Sequence, residues 1–248
     1  MKCLVIHGSP RRGNTWDVLK LTEEEMNKKG EFEFEEIELV KEKIPTCLGC
    51  FNCIIKDESL CPHKDIIQKI VSKIEEADAV IITSPVYSMQ ITGLLKNFID
   101  HMSYNFHRPR FFYKKALIIT TTAGAGHKES ANYLKEIMYY WDVNYVLTMP
   151  IAYRGAELSD KNKDIIIRKA DEFAVELNSG KIHEPSLKSI LMYNIWKGMS
   201  IEGRGVGIAD CKYWSDEKLK GTNFYPGIPV GFIKRTFGKL VFSRFDKK

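Results

Sequence analysis

Four cysteines crowd one short stretch of the chain: Cys47, Cys50, Cys53 and Cys61, spaced C-x2-C-x2-C-x7-C and followed by Pro62. Thiolates at successive two-residue intervals let one tight loop wrap three ligands around a corner of a cluster, with the fourth closing from farther along. Ferredoxin-type runs open with the same two intervals, close over a shorter gap, and also place a proline after the last cysteine. Structural zinc sites more often use two separated C-x2-C knuckles. Thiolate ligands with no histidine inside the run favour a [4Fe–4S] cluster, His63 lying just outside it; zinc or redox-active thiols remain the alternatives. Cys3 falls in an apolar run and reads as a small core residue, and Cys211 stands apart without an assignment.

A second set of chemically competent residues is Gly8-Ser9-Pro10-Arg11-Arg12-Gly13-Asn14-Thr15. The spacing is that of a nucleoside-triphosphate loop, G-x4-G-K-[S/T], with Asn14 where the lysine would neutralise the β- and γ-phosphates. No acidic residue ends the third apolar run, which passes into Thr83-Ser84-Pro85, so nothing there helps hold Mg2+. The residues that remain are backbone N–H groups at a helix start, the hydroxyls of Ser9 and Thr15, and Arg11 and Arg12. They suit one dianionic phosphate bound without metal. A helix terminus contributes ~0.3–1 kcal/mol to such binding, and each charge-assisted hydrogen bond ~1.5–3 kcal/mol. The G-x-G-x-x-G dinucleotide fingerprint is absent from this loop, which disfavours a tightly held NAD. One loop away, Pro85-Val86-Tyr87-Ser88 offers backbone N–H groups and an aromatic wall, fit for a flat heterocycle with imide edges.

These loops need elements to hold them. Apolar runs at Lys2–His7, Glu33–Leu39, Ala79–Thr83, Ala116–Thr121 and Tyr145–Met149 read as strands. Helix-period segments follow at Asn14–Lys29, Lys64–Glu76, Leu94–Met102, Ser130–Trp141 and Lys163–Asn178. Ile66, Ile67, Ile70, Val71 and Ile74 form the apolar stripe of the second. Alternating strands and helices imply right-handed βαβ crossovers and a parallel sheet covered on both faces. The expected fold is α/β, a flavodoxin-like doubly wound sheet of order 2-1-3-4-5. Ligands in such sheets sit beyond the carboxyl ends of the strands, where the strand order reverses. That rule nominates the loops after the first, third and fourth strands.

Gly8-Ser9-Pro10-Arg11…Gly13-Asn14-Thr15, Ser84-Pro85-Val86-Tyr87 and Leu95-Lys96-Asn97-Phe98-Ile99-Asp100 together resemble the NADPH-dependent FMN reductase superfamily. The cysteine run narrows the resemblance to its iron–sulfur flavoprotein branch. The resemblance covers about residues 1–180. It implies an FMN-dependent oxidoreductase or electron carrier, with NAD(P)H or ferredoxin as donor, and a cluster and flavin from different subunits of a homo-oligomer close enough to exchange electrons. It implies that Ser9, Arg11, Asn14 and Thr15, with Arg12 and Gly13 of the same loop, take the FMN phosphate. Pro85, Val86, Tyr87 and Ser88 would line the isoalloxazine. The loop from Thr121 to Gly126, with Thr122, Ala123 and Gly124, would close over the ring. Cys47, Cys50, Cys53 and Cys61 would hold the cluster. The competing expectation is a flavodoxin-like binding or regulatory module whose cysteine loop is stapled by zinc or works as a thiol switch.

Composition sets the outer bounds. The chain has 248 residues, is 44% hydrophobic and 28% charged, and so has the makings of a sizeable core. Residues 1–180 carry 24 Lys/Arg against 26 Asp/Glu, whereas residues 181–248 carry 13 against 6. The formal charge of +5 therefore belongs to the C-terminal quarter and gives no ground for a nucleic-acid reading of the main domain. The first residues are too short an apolar run for a signal peptide, and no stretch approaches the ~18–20 apolar residues of a membrane span. A cytoplasmic protein with a basic, aromatic extension over 181–248 is the expectation. Within that extension Ser186–Met199 reads as a helix with Leu187, Ile190, Leu191 and Ile195 on one side. Gly203-Arg204-Gly205-Val206-Gly207 asks for a flexible backbone, and Tyr213-Trp214 for a packing partner. Val230–Phe245, with Lys234, Arg235, Lys239 and Arg244, reads as a basic amphipathic helix docked on an oligomer or resting on a membrane surface. Arg204 or Arg235 is a candidate for an NADPH phosphate.

Overall fold

A computed structural model describes residues 1–155, 157–200 and 207–246. Five strands alternate with helices in the order β1 (Lys2–His7), α1 (Asn14–Asn27), β2 (Glu33–Glu38), α2 (Leu39–Glu42), α3 (Asn52–Ile55), α4 (Lys64–Glu76), β3 (Ala79–Pro85), α5 (Gly93–His101), β4 (Lys115–Thr122), α6 (His127–Tyr140), β5 (Tyr145–Ala152) and α7 (Asp160–Asn178). The sheet order is β2-β1-β3-β4-β5 and every pairing is parallel. This is the doubly wound arrangement expected from the strand–helix alternation.

The two faces of the sheet are covered by different helices. Leu4, Ile6, Val80, Ile82 and Ile118 point to the face filled by Ile70, Ile74, Leu95, Phe98, Leu134 and Met138 of α4, α5 and α6. Cys3, Val5, Ile81, Leu117 and Ile119 point to the face filled by Val18, Leu19, Met26, Ile166, Ala170 and Phe173 of α1 and α7. Because both faces are buried, the central strands read as continuous apolar runs rather than alternating ones.

Several element ends differ from the expected ones for identifiable reasons. β5 runs three residues past Met149, through Pro150, because β5 is the outer strand and a proline there costs no ladder bond on its free edge. α6 begins at His127, not Ser130; its N-cap is Gly126, in left-handed conformation at φ 88°. A Cβ on Gly126 would lie 2.9 Å from Met89 Cα, so the close approach of two loops demands glycine there. α7 begins at Asp160, after Ser159 caps it by accepting from the Asn162 N–H.

The extension adds α8 (Leu187–Met199), α9 (Ile208–Trp214) and α10 (Phe232–Asp246). The buried side of α8 shares only Ile190 with the one its aliphatics suggested: Leu187 is exposed, and Tyr193, Asn194 and Lys197 join Ile190 inside. Two of these are polar, and carbonyls satisfy them. Asn194 Nδ2 donates to Ile190 O at 2.8 Å and Asn223 O at 2.9 Å. Lys197 Nζ donates to Leu219 O and, at 2.8 Å, to Thr222 O. Burial without a carboxylate partner brings the Lys197 ammonium down to about 8. Gly198 lets Phe245 of α10 lie against the helix, since a Cβ would meet that ring at 2.6 Å.

The extension packs on the segment between α5 and β4. Phe112 stacks on Tyr225 with ring centroids 4.1 Å apart, Trp214 Nε1 donates to His107 O at 3.0 Å, and Trp196 stacks on the His107 ring at 3.7 Å. On α10, Phe232, Ile233 and Leu240 remain exposed among basic residues. Positions 203–206 of the glycine-rich run, and with them Arg204, lie outside the described residues. No helix among the described residues is long and apolar enough to cross a membrane.

One buried ion pair ties the extension to the cysteine loop. Asp210 of α9 takes the Arg108 guanidinium and, at 2.7 Å, His107 Nδ1. Arg108 in turn donates to the carbonyls of Cys53 and, at 3.1 Å, Ile54. Removing one member of such a pair strands the other charge. Asp210→Ala should destabilise the fold by about 3–5 kcal/mol in urea titration. It should also raise amide exchange over residues 52–60 before that of β1, β3 and β4; equal exchange across loop and sheet would refute the brace.

Candidate functional site

The first cleft lies beyond the carboxyl ends of β1, β3 and β4, with about 190 Å³ of free volume. Ser9, Arg11, Gly13, Asn14, Thr15, Pro85, Val86, Tyr87, Thr122 and Ala123 line it, together with Thr121 and Tyr153. The head of the cleft is built on Gly8. Its N–H donates to Thr83 O at 2.8 Å, and its own carbonyl accepts from Thr92 Oγ1 at 2.6 Å. A Cβ at Gly8 would stand 2.8 Å from Thr83 O and 3.0 Å from Leu95 Cβ, so only glycine allows this approach.

From there the loop turns on its own side chains. Ser9 Oγ donates to Arg11 O at 2.6 Å and accepts from the Arg11 N–H at 3.3 Å. Thr15 Oγ1 meets Thr121 Oγ1 at 2.6 Å in a buried contact that ties α1 to the end of β4. Gly13, the N-cap of α1, offers no side-chain cap, and the amides at the head of the helix border the cleft. Arg11 stands exposed at the rim. Arg12 turns away: it pairs with Glu38 at 2.6 Å and lies 4.1 Å over the Trp16 ring. Arg12, and then Lys41, pull the Glu38 carboxyl down to about 2.

The flat side of the cleft is the segment after β3. Val86 N–H donates to Thr121 O at 2.8 Å, and Tyr87 and Gln90 exchange hydrogen bonds at 2.8 and 3.0 Å. Between them Ser88 and Met89 both adopt positive φ, 48° and 68°, the signature of a two-residue hairpin turn of the primed type. The turn carries Ser88 off the cleft wall. Gly124 also stays off the wall; its N–H donates to Thr122 Oγ1 at 3.1 Å and its carbonyl accepts from Arg154 at 3.3 Å. Tyr153 is a lining residue that the motifs missed. It follows the true end of β5, and a strand read through Pro150 would have placed it at the sheet's carboxyl edge. Burial raises its phenol above the usual range.

The second site gathers all four clustered cysteines. Cys47, Cys50, Cys53 and Cys61 line one cavity of about 70 Å³ with Phe51, Pro62, His63 and His101. None is in a disulfide. Gly49 and Phe51, at φ 60° and 59°, supply the left-handed turns that wrap the loop. Burial, and then the neighbouring thiols of Cys61, Cys47 and Cys50, push the Cys53 thiol up to about 11. Thiols that crowd each other this way ionise readily only around a cation, which is the donor set a metal centre requires.

The Leu95–Asp100 motif has a physical role here. Asn97 Oδ1 accepts from the Cys47 N–H at 2.9 Å, while its Nδ2 donates to Ile44 O and Pro45 O, both at 3.1 Å. One helical turn on, His101 Nε2 donates to Pro45 O at 2.9 Å and its Nδ1 lies 3.8 Å from Cys61 Sγ. His101, a buried residue of this cavity, carries no local motif that would reveal it in sequence. From the extension, Gly207 presses so closely on the loop that a Cβ would meet Ile55 Cα at 2.4 Å.

Residues 1–155 match the family model for NADPH-dependent FMN reductase. An iron-sulfur flavoprotein of Archaeoglobus fulgidus is 36% identical over 155 residues, covering 62% of this chain and 67% of that protein. A second from the same organism is 43% identical over 100 residues, covering 40% of this chain and 48% of that protein. The chain thus spans between about half and two thirds of the length of these relatives. Among solved structures, an apo NADH:FMN oxidoreductase (EmoB) superposes with a TM-score of 0.54 at 20% identity. It covers 73% of this chain and 94% of that one, a likeness of fold. The chain belongs to the NADPH-dependent FMN reductase family.

Proposed function

We propose that the protein is a flavin-dependent NAD(P)H oxidoreductase with an FMN site in the first cleft and a [4Fe–4S] site in the cysteine loop. It would pass electrons between NAD(P)H or ferredoxin and an acceptor. The observation that carries this reading is the pairing of two donor sets at the two ends of α5. One is a metal-free phosphate cradle beside a flat wall; the other is four thiols around one cavity. FMN, when bound, supplies two-electron hydride chemistry as well as single-electron exchange, and the cluster supplies single-electron exchange.

The residues divide the work of binding. Ser9, Gly13, Asn14 and Thr15 present hydroxyls and amides to a phosphate, and Arg11 supplies the cation from the rim. Arg12 acts indirectly, by pairing with Glu38 at the end of β2. Pro85, Val86 and Tyr87 form the wall for the ring. The Ser88–Met89 turn fixes that wall, and Thr122 and Ala123 close it on the side of β4. Cys47, Cys50, Cys53 and Cys61 hold the cluster, with Asn97 positioning the start of their loop. The extension supports a homo-oligomer in which α10 presents Phe232, Ile233 and Leu240, and the same reading places the protein in the cytoplasm.

Two experiments test the centres separately. Apoprotein titrated with FMN and with riboflavin should hold FMN more tightly. Arg11→Ala should weaken FMN by about 10-fold, the loss of ~1.4 kcal/mol, and leave riboflavin unchanged. Equal affinity for the two flavins would defeat the phosphate cradle. After anaerobic reconstitution, Cys50→Ser should lose stoichiometric iron and acid-labile sulfide while keeping FMN binding. Full iron and sulfide in that variant would sink the four-cysteine assignment.

A further inference from the structure

We propose that Cys61, His63 and His101 form a second metal site, a mononuclear one for a thiophilic divalent ion such as Zn2+, sharing Cys61 with the four-cysteine set. The potential ligand atoms of these three residues all lie within 4.8 Å of one another. Cys61 Sγ and His101 Nδ1 are 3.8 Å apart. Metal bonds of ~2.3 Å to sulfur and ~2.0–2.1 Å to nitrogen set those atoms about 3.6 Å apart across a tetrahedral angle. That pair is therefore already close to ligand spacing.

The imidazoles are prepared for the task. The Pro45 carbonyl only accepts, so the 2.9 Å contact assigns the ring proton of His101 to Nε2. Nδ1 is then the lone-pair nitrogen, and it is the one that faces Cys61. A backbone carbonyl that fixes the tautomer in this way is the usual outer-shell partner of a metal-ligating histidine. His63 brings the second ring, edge-on to His101 with centroids 5.3 Å apart. Its Nδ1 is buried and meets no hydrogen-bond partner among the described residues. Two imidazoles and one thiolate are a donor set for zinc or cobalt rather than for an iron–sulfur cluster. A water completes the tetrahedron. Binding releases one proton, from the Cys61 thiol, and involves no electron transfer. Cys61 serves one centre at a time, so ion and cluster exclude each other.

The test uses the full-length apoprotein, kept reduced, titrated with Co2+ and then competed with Zn2+. The same samples are also reconstituted with iron and sulfide. The expected result is uptake of about one Co2+ per chain with tetrahedral d–d bands and thiolate charge transfer weaker than a four-cysteine centre gives. His63→Ala and His101→Ala should each weaken Zn2+ by more than the ~10–100-fold that loss of an outer-shell partner costs. Cys50→Ser should keep Zn2+ binding while losing the cluster. His101 also holds Pro45, so the half-exposed His63 is the decisive position, with thermal unfolding run on every variant. No stoichiometric Co2+ uptake, or uptake indifferent to His63→Ala, overturns the proposal. Absence of sulfide from the reconstituted wild type would count against the cluster alone, because the Zn2+ arm is scored on apoprotein.

Discussion

The hydrogen bonds around Gly8 fix the geometry on which both candidate centres depend. Gly8 donates to Thr83 at the end of β3 and accepts from Thr92, whose hydroxyl also takes the Leu95 N–H and so caps α5. One threonine side chain therefore joins the first loop to the start of the helix that carries the cysteine clamp. Asn97 and His101 hold the cysteine loop from the same helix. Nine residues at ~1.5 Å each make α5 a strut of roughly 13 Å. Both loops are therefore tied to one helix, the first through Thr92 and the cysteine loop through Asn97 and His101.

Charge is distributed so that little of it competes with a ligand. In the first loop one arginine is tied down and one is left at the rim. Arg12 and Lys20 lie 4.1 and 4.6 Å from the Trp16 ring, with Glu38 and Glu36 as their acids. Near the cysteine loop, Arg108 meets Asp210, Glu58 and two carbonyls. Such a buried pair is an expensive way to add stability, since desolvation offsets much of its attraction. Its geometry explains it better: the guanidinium fork joins the carbonyls of Cys53 and Ile54 to an acid on the extension. The basic quarter of the chain thus braces a cysteine loop that the acidic-leaning main domain makes but does not fully support.

The strand order and both loops were legible in the sequence because periodicity and turn chemistry are local. The cysteine run was legible because its spacing lies within one loop. What escaped was assembled from distant parts. Tyr153 was hidden because Pro150 looked like a strand end, a valid sign for an inner strand but not for an outer one. Arg12 looked equivalent to Arg11 in the motif, and only Glu38, on a neighbouring strand, separates them. The inner side of α8 was misread because Asn194 and Lys197 are polar; their burial rests on carbonyls 22–29 residues away in sequence. His101 carried no local signal, since its partners Pro45 and Cys61 come from another loop.

Backbone strain completes the argument. Among the described residues, five other than glycine have positive φ, and three of them, Phe51, Ser88 and Met89, border the two sites. Each such residue costs on the order of 1–3 kcal/mol and persists only where its surroundings over-determine it. The surroundings here do so. The Tyr87–Gln90 pair and the contact of Gly126 on Met89 leave the turn at 88–89 one conformation. Asn97 holds the cysteine loop at Cys47, Arg108 holds the carbonyls of Cys53 and Ile54, and Gly207 lies against Ile55, on either side of Phe51 in sequence. Strain and restraint coincide in the loops beside both candidate sites, and contacts within the fold hold each strained residue in place.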